Sequence, residues 1–136
     1  MTPTASRCEY GAMLSTGIDI IEIDRVRRAL ARWGDRFLSK VYTQREVLLC
    51  QGGVPELAVR FAGKEAISKA LGTGLVGVSW QEMEIVSDQR GKPLVRLYGR
   101  ARQRAEDIGL SELAISLSHS REYAIASVVA DDGAAD

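Results

Sequence analysis

The chain has 136 residues in which 18 Lys+Arg balance 18 Asp+Glu, so its formal net charge is zero with the single histidine neutral. That balance excludes the strong basic field of a nucleic-acid binder and the acidic surplus of a solvating tail. A 46% hydrophobic content at single-domain length can bury a core, whereas two cysteines, Cys8 and Cys50, make neither a disulfide framework nor a metal-ligand spacing.

Residues 1–14 show no period and contain an internal methionine, Met13, so they read as a disordered leader outside the fold. Arg7, Cys8, Glu9 and Tyr10 interrupt any signal-peptide core, and no apolar run is long enough to span a bilayer. The expectation is a cytoplasmic protein with neither membrane nor nucleic acid as partner. Residues 15–23 are rich in isoleucine and read as a strand. Asp24 is placed as the cap of a helix whose Val26, Ala29, Leu30 and Trp33 recur at helical spacing, and Gly34 stops it. Thr43 with Glu46 three residues later forms a capping box for a shorter helix. Gln51-Gly52-Gly53 is a loop, and Pro55 opens a long helix that runs to Leu71 and ends at Gly72-Thr73-Gly74.

Residues 80–86 alternate as a strand, 88–91 supply turn chemistry and 93–98 return as its partner, with Pro93 at the start where a missing donor is tolerated. A helix over 100–108 ends at Gly109. Strands over 113–120 and 123–130 follow, separated by a tight Arg121-Glu122 turn, and residues 131–136 are a tail. The order predicts an α+β fold: a single domain over 15–130 in which a mainly antiparallel sheet is packed with a long helix.

Two carboxylates fall where apolar side chains are expected. At about 100° per residue, Leu57, Ala58, Phe61 and Ala62 form one arc of the long helix, with Glu65 in its middle. Asp19 lies between Ile18 and Ile20 and shares a strand face with Ile21 and Ile23. An unpaired buried charge is costly, and two acids without a histidine or cysteine cluster suit a hard, oxygen-seeking cation such as Mg²⁺ better than zinc. Pairing with an arginine is the structural alternative. Lys64 and Lys69 flank Glu65, and the Gly72-Thr73-Gly74 loop offers backbone amides that can approach a phosphate. It is not a nucleotide-binding P-loop, because no Gly-Lys-Ser/Thr precedes a helix.

Three segments together resemble the holo-[acyl-carrier-protein] synthases, the short 4′-phosphopantetheinyl transferases. They are Gly17-Ile18-Asp19-Ile20-Ile21-Glu22-Ile23, the block from Arg60-Phe61-Ala62-Gly63-Lys64-Glu65 through Lys69 to Gly74, and Ser116-Leu117-Ser118-His119-Ser120-Arg121-Glu122-Tyr123-Ala124. The resemblance implies the fold of that family and a transfer of the phosphopantetheine arm of coenzyme A to a serine of apo acyl carrier protein, with release of adenosine 3′,5′-bisphosphate, in lipid (fatty acid) biosynthesis. By motif match it makes Asp19 and Glu65 the Mg²⁺ ligands, and either Glu65 or a metal-bound water takes the serine proton. Lys69 is placed on the pyrophosphate, Gly72, Thr73 and Gly74 beside it, and His119 and Ser120 on the adenosine 3′-phosphate with Arg60 nearby. Lys64 points about 100° away from Glu65 on a helix and is ranked as supporting.

Between Asp24 and Arg36 five arginines stand against two aspartates, and Arg25, Arg28 and Arg32 share one helix face. A solvated face is the ordinary reading of such a run. The resemblance implies instead that Arg25, Arg28, Arg32 and Arg36 dock the acidic carrier, and that the chain forms a homotrimer whose sites lie between subunits. The alternative is a non-catalytic carrier-protein or phosphate-binding module on the same fold. A hydrolase using Ser118 or Ser120 lacks a nucleophile elbow.

Overall fold

Strand β2 (Met13–Glu22) alternates inward and outward residues, and the pattern fixes which of them face the rest of the molecule. Ser15, Gly17 and Ile21 point inward with Asp19, while Ile18 and Ile20 stay 59% and 61% exposed on the far face. The computed structural model describes residues 6–7 and 13–133. A four-stranded sheet runs in the order β1 (Ser6–Arg7), β2, β6 (Tyr123–Asp131), β5 (Glu112–His119), and β3 (Met83–Ser87) pairs with β4 (Pro93–Leu97) in a second, two-stranded sheet. Every described ladder is antiparallel. The α+β architecture matches the expectation, with the sheet divided in two. Met13 and Leu14, set outside the fold by the sequence reading, open β2 and pair with Arg7 and Ser6. No helix among the described residues is long and apolar enough to cross a membrane.

The helices are α1 (Ile23–Trp33), α2 (Asp35–Val41), α3 (Gln44–Cys50), α4 (Val54–Leu71) and α5 (Gly99–Asp107). The capping box opens α3 as expected, with Thr43 Oγ1 accepting from the Glu46 amide and Glu46 Oε1 accepting from the Thr43 amide. Three local expectations change. Glu22 rather than Asp24 occupies the cap position of α1, where the Ile23 amide donates to the Glu122 carbonyl. Asp24 lies in the first turn instead, favourable to the helix dipole. The segment after Gly34 forms a helix of its own, α2, and residues 80–82 form a 3₁₀ turn that β3 follows.

Helix α4 is buried on nearly every side and lies across the inner face of β2 and β6. The inward residues of β6 that it covers are Ala124, Ala126, Val128 and Ala130, all but one of them alanine. A Cβ at Gly17 would collide with the Ala66 carbonyl oxygen, so only glycine admits the helix backbone at this crossing. Ser15 Oγ donates to the Ala70 carbonyl at 2.6 Å on the same seam. These two contacts set the register of α4 on β2, and with it the approach of Glu65 to Asp19.

The other side of α4 is anchored by a buried ion pair. Lys64 and Glu46 are both fully buried, with Lys64 Nζ 2.8 Å from Glu46 Oε1. The ammonium also donates to the carbonyls of Trp80 (2.9 Å) and Met83 (2.7 Å), so all three protons are engaged. Glu46 Oε2 accepts from the Ile85 amide at 2.9 Å. Lys64 therefore joins α4 to α3 and to the entry of β3 with no proton left for a ligand, which makes its support of the site purely structural. Burial pushes its ammonium below the ordinary lysine range, and Glu46 opposes that push. Lys64→Met should destabilise the fold by about 3–5 kcal/mol, because it strands the Glu46 carboxylate in the core; urea denaturation monitored by circular dichroism measures the loss.

Candidate active site

Asp19 on β2, Glu65 in the middle of α4 and Lys69 one turn later meet where that helix crosses the sheet. Lys69 Nζ lies 3.1 Å from Asp19 Oδ1 and donates to the Ile18 carbonyl at 2.8 Å. The Asp19 side chain is 20% exposed and that of Lys69 51%. Burial pushes the Glu65 carboxyl up from its ordinary value and the nearby Asp19 charge adds to the push, while Lys69 and Arg25 pull it down. Two acids and two cations thus share one field. Among the described residues no group of three or more His, Cys, Asp or Glu gathers as a complete metal cage. Two carboxylates at one crossing are a donor set that fits a hard cation completing its shell with water and phosphate oxygens.

The glycine loop behaves differently from the expectation. The amides of Gly72, Thr73 and Gly74 donate to the carbonyls of Lys69 or Ser68, at 3.0, 3.2 and 3.3 Å. They satisfy the last carbonyls of α4, with Gly72 in the left-handed region at φ +73°. The loop therefore ends the helix and places Lys69 on its last turn, and its amides are not free to cradle a phosphate.

Arg60 lies on another face of α4, about 140° from Glu65 at five residues' separation. It is 7% exposed, with Nε donating to the Ile85 carbonyl at 3.0 Å and Nη1 to the Glu56 carbonyl at 3.4 Å. It walls a cleft of about 350 Å³ together with Glu56, Ser87, Gly91, Pro93 and Leu117. His119 follows Leu117 on the same face of β5, is exposed, and holds Nδ1 3.2 Å from the Ser120 carbonyl oxygen. Ser120 Oγ accepts from the amides of Glu122 and Tyr123, which shapes the turn between β5 and β6. Asp19 pairs with Ala126 and Ala126 with Leu117. At about 4.8 Å per strand and 3.4 Å per residue, the backbones of Asp19 and His119 are therefore about 12 Å apart. No described hydrogen bond or ion pair joins His119, Ser120 or Arg60 to Asp19, Glu65 or Lys69. The sequence reading missed the Gly91–Pro93 lip of this cleft because turn chemistry alone explained those residues.

Arg25, Arg28, Arg32 and Arg36 are all exposed. Arg28 pairs with Asp24 at 3.0 Å, which also binds Arg27 at 3.3 Å. The Arg32 and Arg36 guanidinium carbons lie 4.9 and 5.7 Å from the centre of the Trp33 ring. Trp33 was assigned to the apolar stripe of α1, yet it is 47% exposed. It walls a cleft of about 460 Å³ with Ala29, Arg36, Phe37 and Lys40. Arg25 differs from the other three in that its charge reaches Glu65.

The chain matches the family model of the 4′-phosphopantetheinyl transferase superfamily over residues 15–128. It is 50% identical over 124 residues to a holo-[acyl-carrier-protein] synthase of Herpetosiphon aurantiacus, across 86% of this chain and 98% of that protein. A synthase of the same description from Dehalococcoides mccartyi is 51% identical over 120 residues, 88% of this chain and all of its own length. Among solved structures, the Helicobacter pylori holo-[acyl-carrier-protein] synthase in complex with coenzyme A superposes with a TM-score of 0.78 at 32% identity, over 85% of this chain and 98% of that one. The holo-ACP-synthase of Plasmodium yoelii superposes with a TM-score of 0.80 at 27% identity, over 91% and 99% of the two chains. Matching in its motifs, its architecture and nearly its whole length, the chain belongs to the 4′-phosphopantetheinyl transferase superfamily, among its holo-[acyl-carrier-protein] synthases.

Proposed function

We propose that this protein, acting in the cytoplasm, moves 4′-phosphopantetheine from coenzyme A to a serine of apo acyl carrier protein in a Mg²⁺-dependent reaction and releases adenosine 3′,5′-bisphosphate. The observation that carries this reading is the Asp19, Glu65 and Lys69 cluster, two carboxylates and an ammonium set at one crossing of α4 and β2. The names of the relatives and the coenzyme A held by the H. pylori protein support it.

The serine hydroxyl of the carrier attacks the phosphorus that bears pantetheine. A new P–O bond forms to serine, and the bond from that phosphorus to the pyrophosphate bridge breaks. Glu65 is the carboxylate placed to take the serine proton. Asp19 and Glu65 are the residues that would hold Mg²⁺, which when bound supplies neutralisation of the pyrophosphate charge. Lys69 steadies the departing phosphate. Arg60, His119 and Ser120 take the 3′-phosphate end, with the Gly91–Pro93 lip as the wall of that subsite. Arg25, Arg28, Arg32 and Arg36 present the docking face to an acidic carrier.

Within one chain the transfer residues and the 3′-phosphate residues lie on different sides of α4. A closed ring of identical chains brings one set against the neighbour's other set. The surface available for such a ring is the outer face of the four-stranded sheet, where Ile18, Ile20, Ile125 and Val129 are exposed and Ile20 pairs directly with Ile125. We take this sheet face as the trimer contact. The apolar face of the long helix is already covered within the chain.

Incubation with apo acyl carrier protein, coenzyme A and Mg²⁺ should add one phosphopantetheine to the carrier in a mass spectrum, and Glu65→Ala should lower the rate by roughly 10²–10⁴-fold. Carrier binding without any mass gain identifies a non-catalytic module instead. Ile20→Glu should convert the trimer to monomers in light scattering and abolish turnover; an intact trimer would sink the sheet-face contact. Glu65→Gln gives a stability signature. Because the folded carboxyl is raised, the native state binds the proton more tightly than the unfolded chain, so stability falls as pH rises from the ordinary carboxylate range through the folded value. Glu65→Gln should therefore melt higher than the native sequence at pH 7 in metal-free buffer, with the advantage vanishing below the ordinary carboxylate range.

A further inference from the structure

Lys69 is engaged with β2 and not with solvent alone. Its ammonium bonds Asp19 Oδ1 at 3.1 Å and the Ile18 carbonyl at 2.8 Å, so two of its three protons are engaged within the chain. The contact to Asp19 is single rather than forked, and the lysine side chain is half exposed, which is the class of ion pair most readily exchanged. The carboxylate it neutralises is one of the two that would hold a divalent cation. A cation and the lysine therefore want the same oxygen, and a diphosphate lying at the site wants the lysine.

Resting on the metal and pyrophosphate assignments above, we propose that Lys69 is an exchangeable placeholder: it neutralises Asp19 in the ligand-free protein and moves to the coenzyme A diphosphate when a divalent cation takes that carboxylate. The Lys69 stem has four methylenes and is anchored on the last turn of α4, so the ammonium can swing without moving the helix. The Ile18 carbonyl it leaves belongs to an exposed residue, where water can replace the ammonium. Each ligand then eases the entry of the other. Coenzyme A draws the ammonium off Asp19, and the cation frees the ammonium for coenzyme A, so the two bind cooperatively and reciprocally.

Arg25 supplies the control, since its charge acts on Glu65 while the contact to Asp19 belongs to Lys69. The experiment titrates Mn²⁺ calorimetrically into the native protein, Lys69→Met, Arg25→Met and Glu65→Ala, with and without coenzyme A and without carrier, so that no turnover occurs. In the native protein coenzyme A should tighten Mn²⁺ about tenfold, within the ordinary span of coupling between sites. Lys69→Met should bind Mn²⁺ alone more tightly than the native protein does, and coenzyme A should then tighten it by less than about threefold. Arg25→Met should keep the native coupling. Unchanged or weaker Mn²⁺ binding by Lys69→Met, or equal loss of coupling in Lys69→Met and Arg25→Met, overturns the placeholder while the metal assignment stands. Absence of Mn²⁺ binding by the native protein, or binding that Glu65→Ala leaves intact, overturns both.

Discussion

The buried Lys64–Glu46 pair is the constraint from which the geometry of the site follows. Its ammonium satisfies two carbonyls at the entry to β3, and its carboxylate satisfies the Thr43 and Ile85 amides. Apolar replacement of both side chains would strip the Met83 carbonyl and the Thr43 and Ile85 amides of these partners, so the pair is not exchangeable for oil. It clamps one side of α4 while Ser15 and Gly17 seat the other. A helix held from two sides cannot roll, and Glu65, the next residue after Lys64, is held in its bearing toward Asp19. Two adjacent charged residues thus serve opposite purposes: one is sealed in the core, and the other stands at the boundary where solvent and ligand reach it.

α4 also organises the functional surface by separating it. The acid and amine groups line its seam with β2, and Arg60 opens into a different cleft walled by the β3–β4 turn and by β5. The arginines of α1 form a third zone. Only Arg25 bridges two of them, because its charge is felt at Glu65. Under the proposed function, a carrier docked on these arginines would reach the field around Glu65 through that one side chain.

Much of this was legible in the sequence because its causes are local. Thr43 and Glu46 specify a helix start over three residues, and Gly34 or Gly72 specify an end by backbone freedom alone. Asp19 and Glu65 stood out because an acid on an apolar face needs a reason, and the structure brings both into one electrostatic cluster. What could not be read depends on partners distant in sequence. Lys64 and Lys69 flank the same glutamate, yet one meets Glu46, Trp80 and Met83 in the core and the other meets β2. The Gly72–Gly74 amides looked free because helix capping and phosphate binding use the same glycines. Trp33 looked like core because spacing identifies a face without saying what covers it, and α2 escaped notice because a seven-residue helix has too few turns to show a period.

The alanines of β6 and the glycine of β2 let α4 sit so near the sheet that no hollow remains along that contact. Under the proposed function, a substrate as long as coenzyme A would not enter that contact and would lie outside it, against groups that a lone chain leaves open to water. The same small side chains that close this contact leave the transfer groups at its rim, and in the proposed ring the body of a neighbouring chain would supply their shelter.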